Sequence, residues 1–288
     1  MDGIISILKP PGVTSNQVVS DVRHILGEKK AGHLGTLDPA AAGVLPVMLG
    51  RATKLFDLLQ EKDKEYIAEL AFGVETDTQD FMGSVIGKSS RVVSQEEVEA
   101  VLPSFRGEIS QTAPAYSALK VDGHKMYELA RAGKAVPERV RTVSIPELTL
   151  LSAGGEENRF LLRCVCTRGT YIRTLCTDIG HRLGVPASMA FLLRTRVGMF
   201  RIGESLTIAE LREQAEAGGM AVHLVSMEQA LGAYPALRLS EHRRKAAMNG
   251  LPTDTHAPEG TVRLYAGDEF LGVGMVMDGA ARLTVHLN

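Results

Sequence analysis

The spacing of apolar residues predicts short strands and helices punctuated by glycine and proline. Gly3 to Leu8 reads as a strand stopped by the Lys9-Pro10-Pro11-Gly12 turn. Thr14/Ser15 then cap an amphipathic helix (Val18, Val19, Val22, Ile25, Leu26) that Gly27 ends. Residues 31–46 are rich in Gly, Ala and Pro without helical period, which predicts a long ordered loop. Arg51 to Leu59 reads as a helix, and Glu65 to Phe72 alternates as a strand with Ser84 to Ile86 as a candidate partner. Ser94 and Glu97 form a capping box for a helix to about Leu102. Lys125 to Ala132 is a short helix closed by Gly133. Val143 to Leu151 and Arg159 to Thr167 read as strands with Gly154-Gly155 at the turn between them. Helices follow at Tyr171 to Leu183, ended by Gly184, and after the Thr207/Glu210 cap, ended by Gly218-Gly219.

The texture changes near residue 232. Gly232-Ala233-Tyr234-Pro235 reads as a linker, followed by a helix at Glu241 to Met248 and strands at Val262 to Tyr265, Phe270 to Met277 and Arg282 to Leu287. Such a segment predicts a small β-barrel packed on its neighbour. Without strict βαβ alternation, the order of elements points to an α+β fold.

The 288 residues carry 32 Lys+Arg against 34 Asp+Glu, and 44% are hydrophobic. This is a globular composition. No apolar run approaches the roughly 20 residues of a membrane helix. The N-terminus lacks a basic start and a small-residue cleavage site, so a cytoplasmic protein is expected. The net charge of −2 argues at first against a nucleic-acid partner. By segment, however, residues 61–100 carry 4 basic and 10 acidic groups, and residues 159–203 carry 8 arginines against Asp178 alone. Arginine suits bidentate phosphate contact, although such a block also reads as a solvated face. Cys164, Cys166 and Cys176 lack zinc-site pairing and read as buried free thiols.

No P-loop or strand-linked G-x-G-x-x-G occurs, so no phosphate-cradling nucleotide site is signalled, and no G-x-S-x-G or H-E-x-x-H pattern occurs either. The informative stretch runs from Ala31 to Pro46 around Gly35-Thr36-Leu37-Asp38-Pro39. Taken alone, Asp38 before Pro39 reads more readily as a turn former, but the flanking Gly and Ala permit close approach of a large ligand. A second stretch, Gly169-Thr170-Tyr171-Ile172-Arg173, sits at a strand-to-helix junction in the arginine block. An Arg beside an Asp holds the carboxylate ionised and oriented. Spacing alone leaves open whether Tyr171 and Arg173 point to one side.

These motifs resemble those of the bacterial TruB family of tRNA pseudouridine synthases, nearly end to end. The matching parts are Gly3 to Ser15, Gly32 to Pro39, Lys64-Glu65-Tyr66, Gln111 to Gly123, Tyr127 to Gly133 and Gly169 to Leu175. The resemblance implies the pseudouridine synthase fold: a mixed, largely antiparallel central sheet with flanking helices. It implies a catalytic domain at 1–232, an RNA-binding insertion at 116–141, mobile in the free protein, and a PUA-like barrel at 233–288.

The implied reaction isomerises one T-loop uridine of tRNA (position 55 in tRNA convention) to pseudouridine by base flipping, without cofactor. Asp38 is the implied catalytic aspartate, acting at C1′ or through elimination. Arg173 positions it, and Tyr66 stacks on the uracil and assists proton removal. Tyr171 supports the pocket floor. His33 sits near the vacated base position, or is a structural loop histidine. Lys9 and Lys64 contact phosphate or pocket, or are solvated. Leu192 lines the pocket, or is core. Leu193 stands where the family often has arginine, removing one phosphate contact. The implied partner is the tRNA T-arm, with no DNA, no membrane and a monomer by default. A T-arm-binding folding chaperone is the alternative, distinguished by whether Asp38 is needed.

Overall fold

The computed structural model describes residues 1–59, 63–117, 119–121, 123–153 and 158–288. Its centre is a nine-stranded mixed sheet whose main path runs Glu147–Ala153, Arg159–Cys166, Lys64–Phe72, Ala187–Val197, Ala42–Leu49, Gly3–Lys9 and Leu224–Val225. Every pairing is antiparallel except Ala187–Val197 against Ala42–Leu49. The helices Ser15–Leu26 and Ile172–Leu183 pack their apolar sides onto this sheet in the main core, with Val18, Val22, Leu175 and Ile179 all buried.

Local signals place the helices well. Thr14 caps Ser15–Leu26 by accepting from the Gln17 backbone N–H, and Gly27 ends it at φ 65°. Capping boxes open Gln95–Val101 and Ile208–Glu216 where the Ser94/Glu97 and Thr207/Glu210 spacings place them.

Several strands depart from expectation. The predicted loop at 31–46 contains two pieces of sheet, Ala31–His33 and the start of the buried strand Ala42–Leu49. Val85–Lys88 pairs with Val74–Thr76 rather than with the strand ending at Phe72, because Gly73 turns the chain at φ 99°. The strand expected from Val143 to Leu151 divides at Pro146. Val140–Ile145 pairs with Gly107–Thr112, and Glu147–Ala153 pairs with Arg159–Cys166. Proline supplies no ladder donor, so the chain changes sheets there. The Gly154-Gly155 turn lies outside the described residues. The eleven-residue strand Ala187–Val197, central to the sheet, was not anticipated.

Residues 236–286 form a second sheet in the order Ala236–Leu239, Gly260–Ala266, Glu269–Met277, Ala280–His286, Thr253–Asp254. It is open: among the described residues its two edge strands do not pair, so the predicted closed barrel is not formed. Pro252 and Pro258 flank the last edge, and only Thr253 and Asp254 pair there. Val273 and Leu287 leave this sheet's own core and pack with Ile4, Met48 and Leu55 of the main body.

One row of residues crosses the main sheet from strand to strand. Register places Cys164 beside Tyr66, Tyr66 beside Arg194, Arg194 beside Gly43, and Gly43 beside Lys9. Neighbours in such a row share a sheet face. A Cβ on Gly43 would lie 2.1 Å from the Arg194 carbonyl oxygen, at φ +116°. Gly43→Ala therefore forces the parallel pair apart, and the expected loss is about 3 kcal/mol in a denaturant melt.

Candidate active site

The loop between Ala31–His33 and Ala42–Leu49 lies over the end of this row and is pinned at several points. Leu34, Leu37 and Ala41 are buried. The Ser15 hydroxyl accepts from Leu37 N and donates to Leu37 O, both at 2.9 Å. Arg194 has no exposed surface, and it donates to the carbonyls of Val44 (2.8 Å), Thr36 (3.2 Å) and Gly35 (3.2 Å). Lys9, equally buried, donates to the carbonyls of Pro10, Val13 and Pro39 at 2.8–3.2 Å. The carbonyls on both sides of Asp38 are thus held by buried cations, and the carboxylate projects free of the loop.

Its partner comes from the far side of the site. Arg173, in the first turn of Ile172–Leu183, places Nε 3.0 Å from Asp38 Oδ2. Its side chain is 7% exposed and that of Asp38 39%, so the arginine lies behind the carboxylate and leaves it open. Arg173 also donates to the carbonyls of Thr78 and Tyr116, each at 3.0 Å, and its Nη1 lies 3.7 Å from Asp80 Oδ2. Every edge of the guanidinium is occupied, which fixes its plane.

A cavity of about 290 Å³ opens here, lined among others by Asp38, Lys64, Tyr66, Tyr171, Arg173 and Leu192. Tyr171 and Arg173 do face one site, because Tyr171 is the extended N-cap of the helix rather than part of its first turn. Tyr66 is buried in the cavity wall. Burial pushes its hydroxyl up to about 12, against the opposing charge of Arg194, so it stays protonated at neutral pH.

Two residues are not at the cavity. Lys9 lies beneath the loop with its ammonium committed to three carbonyls, which corrects its expected contact with phosphate or pocket. Burial pushes it down to about 8, with Asp38 opposing that shift. His33 ends the strand Ala31–His33 half-buried and does not line the cavity. Its Nδ1 is buried without a hydrogen-bond partner, and burial and Arg194 lower its proton affinity.

Sequence reasoning passed over Asp80 and Arg194 as members of charged segments. Asp80 is placed by a compact turn in which its Oδ1 accepts from Thr78 Oγ1 (2.7 Å) and Met82 N (3.0 Å). The local signal was the run of Thr and Asp between Thr76 and Asp80. Half of the arginine block is committed within the fold, while Arg168, Arg182 and Arg201 are exposed. Arg159 pairs with Glu69, Arg163 with Glu65 and Glu147, and Arg173 with Asp38 and Asp80, while Arg194 is interior. Most of these carboxylates come from the acidic stretch at 61–100. The three cysteines are buried free thiols. Among the described residues, no group of three or more His, Cys, Asp or Glu could hold a metal ion.

Residues 23–172 match the family model described as TruB family pseudouridylate synthase (N terminal domain), and residues 173–232 match the tRNA pseudouridylate synthase B C-terminal domain. The chain belongs to the TruB family. This TruB-family chain is 43% identical over 254 residues to the tRNA pseudouridine synthase B of Pelotomaculum thermopropionicum, covering 87% of this chain and 80% of that protein. The protein of the same name from Clostridioides difficile is 41% identical, covering 95% of this chain and 94% of its own. Among solved structures, a chain of a Cbf5-Nop10-Gar1 complex superposes with a TM-score of 0.73 at 29% identity, covering 96% of this chain and 78% of that one. A chain from an H/ACA RNP bound to a substrate RNA containing 2′-deoxyuridine gives 0.73 at 27%, covering 99% and 84%. As a TruB-family member the chain is a pseudouridine synthase, an enzyme of the isomerase class.

Proposed function

We propose that the enzyme converts the T-loop uridine at position 55 of tRNA to pseudouridine, with Asp38, Tyr66 and Arg173 as its catalytic residues. The observation that carries this reading is the Asp38–Arg173 pair at 3.0 Å on the edge of a one-nucleotide cavity. A cavity of about 290 Å³ has room for a flipped base and none for a duplex, so the uridine must leave its stack, costing a few kcal/mol. The relatives' name, tRNA pseudouridine synthase B, supports tRNA as substrate.

In this reading Asp38 acts as an anion, either attacking C1′ directly or taking the elimination route. The N1–C1′ bond breaks, the uracil turns within the cavity, C5 bonds to C1′ with any Asp38–C1′ bond breaking to return the carboxylate, and the C5 proton is passed on while N1 gains one. Atoms and charge balance without a co-reactant. Tyr66 supplies the stacking surface, and its protonated hydroxyl favours that role over service as a resting base. Tyr171 and Leu192 close the cavity, and Lys64 supplies positive charge at its rim. Lys9 holds the catalytic loop from below. His33 stands behind that loop at the base-vacated side.

The segment at 116–141 closes over the T-arm, and its link to the chemistry is the Tyr116 carbonyl, which accepts from Arg173. The region from 233 onward is a PUA-like accessory unit, and the enzyme acts as a cytoplasmic monomer. The decisive experiment incubates the protein with unmodified tRNA and with a bare T-arm hairpin, and maps pseudouridine in each. Product at the T-loop uridine of either RNA is the expected result. No product from either overturns the proposal.

A further inference from the structure

We propose that Arg141 binds a backbone phosphate of the RNA at the rim of the catalytic cavity. This rests on the proposed function, in which the cavity takes a nucleotide. Arg141 lies on Val140–Ile145, where the 116–141 segment rejoins the body, opposite Gln111 in register. Gln111 is engaged elsewhere: its side-chain amide accepts from Tyr171 N (3.0 Å) and donates to Tyr171 O (3.3 Å).

The Arg141 guanidinium carbon lies 5.7 Å from the centroid of the Tyr171 ring. Its Nη1 occupies the space a Gly169 side chain would need, 2.6 Å from an ideal Cβ, and Gly169 has φ +87°. The guanidinium is therefore wedged between two residues that line the cavity.

What singles it out is its unspent donors. Its Nε is buried without a hydrogen-bond partner, and no carboxylate pairs with it among the described residues. The neighbouring arginines differ. Arg163 and Arg173 have carboxylates, and Arg194 has three carbonyls. The Nε is closed off from an incoming ligand, so a phosphate would meet the guanidinium at its terminal nitrogens, which have no carboxylate or carbonyl partner among the described residues and suit an anion with several acceptor oxygens. The substrate brings such an anion with every nucleotide. Stacking on Tyr171 pre-orients the planar fork, as arginine–phosphate recognition requires.

The test uses the full-length protein, wild type and with Arg141→Gln or Arg141→Lys, and an unmodified T-arm hairpin. Binding is followed across a salt series, with isomerisation kinetics alongside. Arg141→Gln is expected to raise Kd and KM about tenfold, to lower kcat less than about threefold, and to flatten the slope of log K against log salt by about 0.7–0.9. Arg141→Lys keeps the charge, so it retains the slope and recovers part of the affinity. If Arg141→Gln folds poorly, Arg141→Met takes its place with the same expected rise in Kd and flattening of the slope, and the same overturning results. An unchanged slope in Arg141→Gln, or a fall in kcat at unchanged Kd, overturns the proposal and leaves Arg141 as packing for Tyr171. Wild-type protein that makes no pseudouridine fails the functional reading itself, a separate outcome.

Discussion

Asp38→Asn is expected to leave RNA binding within about threefold of wild type while lowering the isomerisation rate by about 10³-fold or more, the scale for losing a group that acts in covalent or acid–base catalysis. The substitution preserves shape. The loop is held at the carbonyls of Gly35, Thr36 and Pro39 and through the Ser15–Leu37 contacts, none of which involves the Asp38 side chain. The amide still presents an oxygen to Arg173 Nε, but it has no negative charge with which to attack C1′ or remove a proton. Binding by gel shift or anisotropy, with single-turnover pseudouridine formation in parallel, checks this. Retained modification would remove Asp38 from the catalytic role. Equal loss of binding and rate would make it a docking residue.

Arg173→Met is expected to combine a catalytic and a structural loss. It leaves Asp80, 13% exposed, without its cation, and it strips donors from the Thr78 and Tyr116 carbonyls. Removing one member of a buried pair costs about 3–5 kcal/mol because the other charge remains buried. Asp38 is more open to water, so the lower end applies: about 3 kcal/mol, or a fall in Tm of roughly 6–12 °C. The rate falls by about 10²-fold or more, because Asp38 loses its orientation and the Tyr116 carbonyl is no longer tied to the site. Arg173→Lys restores charge without the planar fork and is expected to recover stability more than rate. Thermal melts and kcat on folded protein separate the two losses. A Tm within about 2 °C of wild type would show that the Thr78, Asp80 and Tyr116 contacts do not hold the site together.

Helices that were readable in advance carry their information within a turn or two of themselves. Thr14 with Gln17, Ser94 with Glu97 and Gly27 at positive φ are contacts between residues close in sequence. The strand Ala187–Val197 was missed because it is built by its neighbours. Its register against Lys64–Phe72 shifts twice, and it carries Arg194 and Arg196 among apolar residues, so no clean alternation marks it. The division at Pro146 was readable in principle, since proline lacks a ladder donor, but nothing local told the chain to change sheets. The open C-terminal sheet has the same origin: a barrel closes through pairing of distant edges, and glycine-punctuated strands alone do not ensure it.

The motifs around Asp38 and Arg173 stand in the sequence by themselves, as do the helix caps, the glycine at 43 and the buried character of the cysteines. These depend on residue chemistry and short-range backbone geometry. Only the tertiary structure decided that Asp38 and Arg173 meet at 3.0 Å, that Asp80 braces the arginine, and that Lys9 lies under the catalytic loop instead of in the cavity. It likewise decided that Lys9, Gly43, Arg194 and Tyr66 form one row, and that three arginines of the block, Arg159, Arg163 and Arg173, are paired with carboxylates. The physical reason is common to all of these. A charge's role is set by its desolvation and by its partner, and both are fixed by strand register between segments far apart in the chain.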